Sequence, residues 1–326
     1  MSRALRGLGV LAAAGAGALA WSLVEAQWYT LREASVPVLP PGALPLRVLH
    51  LSDLHLVPSQ RRKIDWVRDL DTLHPDLVVD TGDNWAHPEA LGPLLHALEP
   101  LLARPGAFVM GSNDYYGPVA KNPAKYLRPG ARRKNTNAEE RALPADLLTK
   151  ELLAAGWIDL DNARDELTVR GTRLDLVGTD DAHIGRDRYP ARGASGPTAD
   201  PEAPSSDRET RSPSDTPAVR VGVTHAPYSR VLRPMLEDGV ELAIAGHTHG
   251  GQLAVPGWGA LVTNCDLETR KAKGLHGWPG ARPDAPGGED SMWLHVSAGL
   301  GTSPYTPVRF ACRPEATLLT LVARDA

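Results

Sequence analysis

From Leu46 onward the chain alternates short apolar runs with amphipathic stretches, the rhythm of an α/β domain rather than of an all-α or all-β one. Leu46 to Ser52 reads as a strand, and Ile64, Val67 and Leu70 then recur at helical spacing. Leu77-Val78-Val79 forms a buried strand ending at Asp80. Leu91, Leu94, Leu95, Leu98, Leu101 and Leu102 make an apolar helical stripe, and Ala107 to Met110 is a third strand, which completes a β-α-β-α-β unit. Leu167 to Arg170 and Arg173 to Val177 flank Gly171 as a hairpin, so a purely parallel sheet is not expected. Further strands are predicted at Val219 to Thr224, Leu242 to Ala245, Trp293 to Ser297 and Thr317 to Val322. The 190–217 stretch holds no Val, Ile, Leu, Met or aromatic residue and cannot bury a core, so it reads as a disordered insertion within one domain spanning 46–326.

The amino terminus follows a different pattern. Arg3 and Arg6 precede an uncharged run from Gly7 to Val24, which is about 27 Å long as a helix and just reaches across a bilayer. Ala18-Leu19-Ala20 also resembles a signal-cleavage site, so residues 1–30 read as a membrane anchor or a signal segment. Either reading puts the rest of the chain outside the cytoplasm, tethered by a single span or exported in soluble form.

Composition adjusts this picture in three places. Opposite charges nearly cancel, 35 basic against 39 acidic, so no stable nucleic-acid partner is expected. Cys265 and Cys312 are too few for a disulfide framework or a zinc ribbon. Phe occurs twice while Gly and Pro number 31 and 29, which implies many loops between short elements.

Metal-binding side chains cluster just past the strands. Asp53-Leu54-His55 follows the first, with i and i+2 on one side of an extended chain. Gly82-Asp83-Asn84 follows the second and Gly111-Ser112-Asn113-Asp114 the third, so successive strands deliver polar residues to one sheet edge. The second half supplies imidazoles: His225 ends one strand, and His247 and His249 lie in Gly-His-Thr-His-Gly-Gly-Gln after another. For two histidines set among glycines, packing gives no reason to prefer imidazole. The mixed oxygen and nitrogen set, without thiolate, suits Mn, Fe or Zn. If Asp83 bridges two ions, they stand at the separation useful for in-line displacement at phosphorus.

The order Asp-x-His, Gly-Asp, Gly-x-Asn-Asp, His, Gly-His-x-His resembles the calcineurin-like metallophosphoesterase superfamily, from about Leu46 to the C-terminus. The extended GHTHGGQ and the late VSAGLGTSPYTPVRFACRPEATLLTL are similar to its membrane-anchored bacterial branch, which resembles UDP-2,3-diacylglucosamine pyrophosphatases. The resemblance implies an α/β fold, an αββα sandwich of two mixed sheets flanked by helices. It implies two divalent metal ions, one held by Asp53, His55, Asp83 and His249 and the other by Asp83, Asn113, His225 and His247. Asp83, Asn113 and His225 then carry catalytic roles, and a metal-bridging hydroxide attacks a phosphate diester, pyrophosphate or monoester that is lipid-linked or nucleotide-linked. Asn84, Asp114, His183 and Arg309 are supporting or substrate-contact candidates.

One departure bears on chemistry. The superfamily usually reads Gly-Asn-His-Asp/Glu where this chain reads Gly-Ser-Asn-Asp, so either Asn113 takes the ligand role or Ser112 does. Either way the loop lacks a histidine, and Asn cannot serve as a general acid. A good leaving group, or a histidine borrowed from the loop containing His183, would compensate. His87 reads as a helix-start residue, and the basic run Arg128 to Lys134, near Tyr115, Tyr116 and Tyr126, as a lid or a solvated loop. Two rivals stand beside the hydrolase: a metal-binding envelope protein without turnover, and an amidohydrolase, which requires a TIM barrel with His-x-His after its first strand.

Overall fold

The computed structural model describes residues 3–119, 139–192 and 218–324. Two six-stranded mixed sheets face each other. The first contains β1 (Thr30–Leu39), β2 (Leu46–Leu51), β3 (Leu77–Asp80), β4 (Gly106–Phe108), β5 (Ile158–Asp159) and β14 (Glu315–Ala323), in the order β1-β14-β2-β3-β4-β5. The second contains β6 (Arg164–Val169), β7 (Thr172–Thr179), β8 (Val219–Thr224), β9 (Leu242–Ala245), β12 (Gly274–Trp278) and β13 (Met292–Val296), in the order β12-β13-β9-β8-β7-β6. A two-stranded ribbon, β10 (Ala254–Val255) and β11 (Gly259–Ala260), stands apart.

The layers follow from which faces are apolar. Val48, Leu77, Val79 and Leu319 of the first sheet meet Leu174, Val221, Val223 and Ile244 of the second in a shared core between the sheets. On the outer face of the first sheet, Leu49, Leu51, Val78 and Phe108 pack under α2 (Arg61–Asp69), α3 (Leu91–Leu102) and α5 (Ala145–Ala154). On the outer face of the second, Val177, Ala243 and Leu294 pack under α6 (Ser229–Glu237) through Val231, Leu232 and Met235. Strands covered on both faces have no solvent side to mark with polar residues, which is why β3 and β9 read as unbroken apolar runs. This is the αββα sandwich, and it excludes the TIM barrel that an amidohydrolase needs.

Several expectations change. β1, which pairs in parallel with β14, extends the first sheet to before Leu46. Its arginine, glutamate and proline suit an edge strand and hide its period. Cys265 and Cys312 are free thiols. The 7–24 run lies in α1 (Arg3–Glu25), but among the described residues no helix is long and apolar enough to cross a membrane, so the expected span is not carried by the structure. The run is mostly Ala and Gly, whose small side chains add little apolar surface. The end of α1 is tied to the late loop: Glu25 accepts from the backbone N–H groups of Ala311 and Cys312 at 3.0 and 2.8 Å. Most of the expected insertion, residues 193–217, and the basic run 128–134 with Tyr126 lie outside the described residues.

Candidate metal centre

β2, β3 and β4 run parallel, with Leu51 opposite Asp80 and Asp80 opposite Phe108, so their carboxyl ends are level and their loops open on one side. Those loops carry Asp53 and His55, Asp83, and Asn113, the last on α4 (Ser112–Tyr115). The fully buried Asp114 clamps two of them together. Its Oδ2 accepts from the N–H groups of Asp83 and Gly111 at 2.7 and 2.8 Å, and its Oδ1 accepts from the N–H of Asn84 at 2.8 Å. Asp114 and Asn84, expected as supporting or substrate candidates, meet in this clamp, Asp114 through its carboxylate and Asn84 through its backbone N–H. Gly111 is required because a Cβ there would lie 2.4 Å from Asp83 Oδ1.

The second sheet supplies His225 after β8 and His247 and His249 after β9. His225 Nδ1 lies 2.7 Å from the Thr81 carbonyl oxygen, to which it donates, and this aims Nε2 at Asp83 Oδ2, 3.5 Å away. The same Asp83 oxygen is 3.4 Å from His55 Nε2. His249 Nε2 stands 3.5 Å from Asp53 Oδ1 and 3.2 Å from His55 Nε2. The His247 backbone N–H donates to Asp53 Oδ2 at 2.9 Å, while its ring Nε2 lies 3.2 Å from the Asn264 carbonyl, which leaves Nδ1 for a ligand role. Asn113 gives both its backbone N–H and its side-chain amide to Asp83, at 2.7 and 2.6 Å, so Oδ1 is its remaining donor oxygen. Asp53, His55, Asp83, His225 and His249 thus bring ligand atoms together, Asn113 joins them through Asp83, and His247 joins them through its backbone N–H to Asp53.

The backbone is unusual there. Asp53, His55, Asp83, His247 and His249 all have positive φ, between 42° and 69°. Such conformations cost energy in non-glycine residues and persist where packing and function over-determine them.

The donor set fits divalent metal. Ligand atoms of Asp53, His55 and His249 lie within 4.8 Å of one another, as do those of Asp53, Asp83 and His225. Asp53 Oδ1 and His225 Nε2 are buried without hydrogen-bond partners, a costly state for a carboxylate and an imidazole unless a cation completes them. Burial lowers His55 to about 4, and burial with the nearby Arg309 guanidinium lowers His249 to about 3, so both rings are neutral and ready to donate lone pairs. Burial would lower His225 as well, but the carboxylates of Asp83, Asp181 and Asp53 outweigh it and raise the ring to about 10. Burial would raise Asp83, yet His225 and His55 hold it below the usual carboxylate range. Without metal the cluster is a network of opposed charges.

His55, Asp83, Asn113, His247 and His249 line a cleft of about 450 Å³. His183 lies on its wall, its ring centroid 4.5 Å from that of His247 and its Nδ1 3.1 Å from the Tyr228 hydroxyl. Arg309 was expected as a supporting or a substrate-contact residue. It is wholly buried, donates to the carbonyls of Ala298 and Gly301 at 2.6 and 2.7 Å and approaches His249 Nδ1 at 3.3 Å, so it braces a ligand loop instead of meeting a phosphate. Thr81 and Tyr228 were not legible as site residues. Thr81 had only its place between Asp80 and Gly82 to signal it, and Tyr228 had none.

The calcineurin-like phosphoesterase family model matches residues 46–251. The chain is 24% identical over 302 residues to the phosphodiesterase YaeI of Escherichia coli (strain K12), covering 91% of this chain and 90% of that protein. It is 23% identical over 313 residues to the uncharacterized metallophosphoesterase YkuE of Bacillus subtilis (strain 168), covering 92% and 86%. Among solved structures it matches a purple acid phosphatase from yellow lupin (Lupinus luteus) seeds at 12% identity and a TM-score of 0.37, covering 64% of this chain and 39% of that one.

Proposed function

The chain belongs to the calcineurin-like phosphoesterase family and is a metal-dependent phosphoester hydrolase, and from that premise we propose that it cleaves phosphodiesters at a two-metal centre. The proposed ligands are Asp53, His55, Asp83, Asn113, His225, His247 and His249. The observation that carries this reading is Asp83 Oδ2, placed 3.4 Å from His55 and 3.5 Å from His225, with the unpartnered Asp53 Oδ1 beside them. Divalent ions bound there supply Lewis-acid stabilisation of phosphoryl charge and a water of lowered pKa.

The protein's own groups do the rest. Neutral His55 and His249 present lone pairs, while Asn113, anchored on Asp83 through its N–H groups, presents Oδ1. Ser112 Oγ is 3.5 Å from the Asn113 amide, and its side chain has no contact with Asp83 to match that of Asn113, which favours Asn113 in the ligand role. Since Asn113 cannot release a proton, His183, backed by the Tyr228 hydroxyl, is the group that offers an N–H to a phosphoryl or leaving oxygen. A phosphodiester with a stable leaving group makes the least demand on such a donor, and the relative YaeI is named a phosphodiesterase.

The test is turnover of bis-p-nitrophenyl phosphate by the purified chain loaded with Mn²⁺. Hydrolysis that a chelator stops, Mn²⁺ restores and Asp83→Ala abolishes supports the reading. Uptake of two Mn²⁺ with no turnover on diesters, monoesters or pyrophosphates replaces it with a metal-binding protein.

A further inference from the structure

Behind the cluster a file of buried polar side chains joins the two sheets. His295 on β13 and His50 on β2 bring their Nδ1 atoms to 3.0 Å. His50 Nε2 is 2.9 Å from Thr81 Oγ1, Thr81 Oγ1 is 2.7 Å from Ser52 Oγ, and Ser52 Oγ is 2.5 Å from Asp53 Oδ2. None of these five residues is more than 2% exposed. A sheet interior filled by apolar side chains needs no such file, and a polar group left unsatisfied there is costly.

The last acceptor fixes the direction of the file. A carboxylate only accepts, so Ser52 donates to Asp53; the Ser52 oxygen then receives the Thr81 hydroxyl proton, and the Thr81 oxygen receives the N–H of His50 Nε2. His50 Nδ1 is left as the acceptor of His295 Nδ1–H. Every hydrogen is placed when both rings are neutral. Burial favours that state, holding His50 well below its ordinary value and lowering His295 to about 3. At its end the file occupies Asp53 Oδ2, which also takes the His247 N–H at 2.9 Å, and Oδ1 is left without a partner. Thr81 acts twice, because its carbonyl receives His225 Nδ1–H.

We propose that His295, His50, Thr81 and Ser52 are a positioning chain that locks the Asp53 carboxylate with Oδ2 held by the protein and Oδ1 turned out for a divalent cation. The proposal rests on the two-metal reading above. Its alternative is a polar seam that only holds the sheets together. Thr81→Val keeps the shape and removes the hydroxyl, whereas Thr81→Ser keeps the hydroxyl. Titration of the metal-free protein with Mn²⁺ should show one equivalent weakened by roughly 10- to 100-fold in Thr81→Val and by less than about threefold in Thr81→Ser, as supports of metal ligands do. Turnover in Thr81→Val should recover at saturating Mn²⁺ with KM unchanged, and ¹⁵N spectra of labelled histidine in the wild-type chain should place the His50 proton on Nε2. Unchanged binding of two Mn²⁺ by Thr81→Val, even with a lower Tm, overturns the chain and leaves the metal centre standing. A His50 proton found on Nδ1 overturns it too, and decides the matter should Thr81→Val fail to fold. A wild-type protein that takes up no Mn²⁺ removes both readings.

Discussion

The first sheet presents Asp53, His55, Asp83 and Asn113, with the Asp83 and Asn113 loops pinned to each other within their own half of the molecule, whereas the second presents His225, His247 and His249 from loops that lean on the first. Asp114 ties the Asp83 and Gly111 loops by three backbone hydrogen bonds that never leave the first sheet's side. The histidine loops are aligned by groups across the interface: Thr81 holds the His225 ring, and Asp53 holds the His247 backbone. Both sheets have six strands and parallel centres, yet the Asp83 and Asn113 loops are braced within one half while Asp53 and the histidine loops are aligned across the interface. A change at the Asp114 clamp should therefore disturb both halves, while removal of a single histidine ligand should stay local.

That asymmetry can be broken in order of effect. Asp83→Ala removes the oxygen shared by His55 and His225 and should abolish diester hydrolysis together with most bound metal, read by turnover and elemental analysis. Asp114→Ala leaves three backbone donors unpaired, each costing about 1–3 kcal/mol, so Tm should fall and activity should fall with it. His249→Ala should remove one equivalent of metal and lower turnover while costing the metal-free fold less than Asp114→Ala; an equal loss of Tm would contradict the asymmetry.

A pH experiment sharpens the contrast at the seam between the halves. Burial, with the charge of His276 adding, lowers His295 from 6.5 to about 3. The unfolded chain therefore takes up this proton below 6.5, and the folded chain takes it up only near 3. The contribution is full above pH 6.5 and is lost as pH falls toward 3. In the metal-free protein, Tm should decline over that window, and His295→Gln should flatten the decline. The smallest effect belongs to Trp258, 81% exposed at the tip of the β10–β11 ribbon: Trp258→Ala should leave stability within about 0.5 kcal/mol and turnover of a small diester unchanged.

Much of the fold was legible because doubly covered strands leave plain apolar runs: β8 and β9 coincide with the runs expected at Val219 to Thr224 and Leu242 to Ala245. The hairpin about Gly171 is present, with Gly171 at φ 81°. β1 was not legible because an edge strand needs only part of an apolar face, and β12, with two glycines in five residues, carries little periodic signal. At the site, Asp53, His55, Asp83, His225, His247 and His249 stood out because carboxylates and imidazoles placed just after buried strands have no packing reason to be there. For Arg309 the choice between a supporting and a substrate-contact role was not legible, because a positive charge in a loop suggests solvent or phosphate, and only the surrounding carbonyls show that it is fully enclosed.

The sequence by itself determined which chemistry is available, since the type and order of the ligating side chains along the chain specify a hard, mixed oxygen and nitrogen donor set. The tertiary structure alone decided how that set is aimed. His295 and His50 are 245 residues apart in the chain and 3.0 Å apart in space. The orientation of Asp53 and the burial of Arg309 both arise from contacts between segments distant in the chain. No local preference encodes a contact whose partners meet only when the core between the sheets closes.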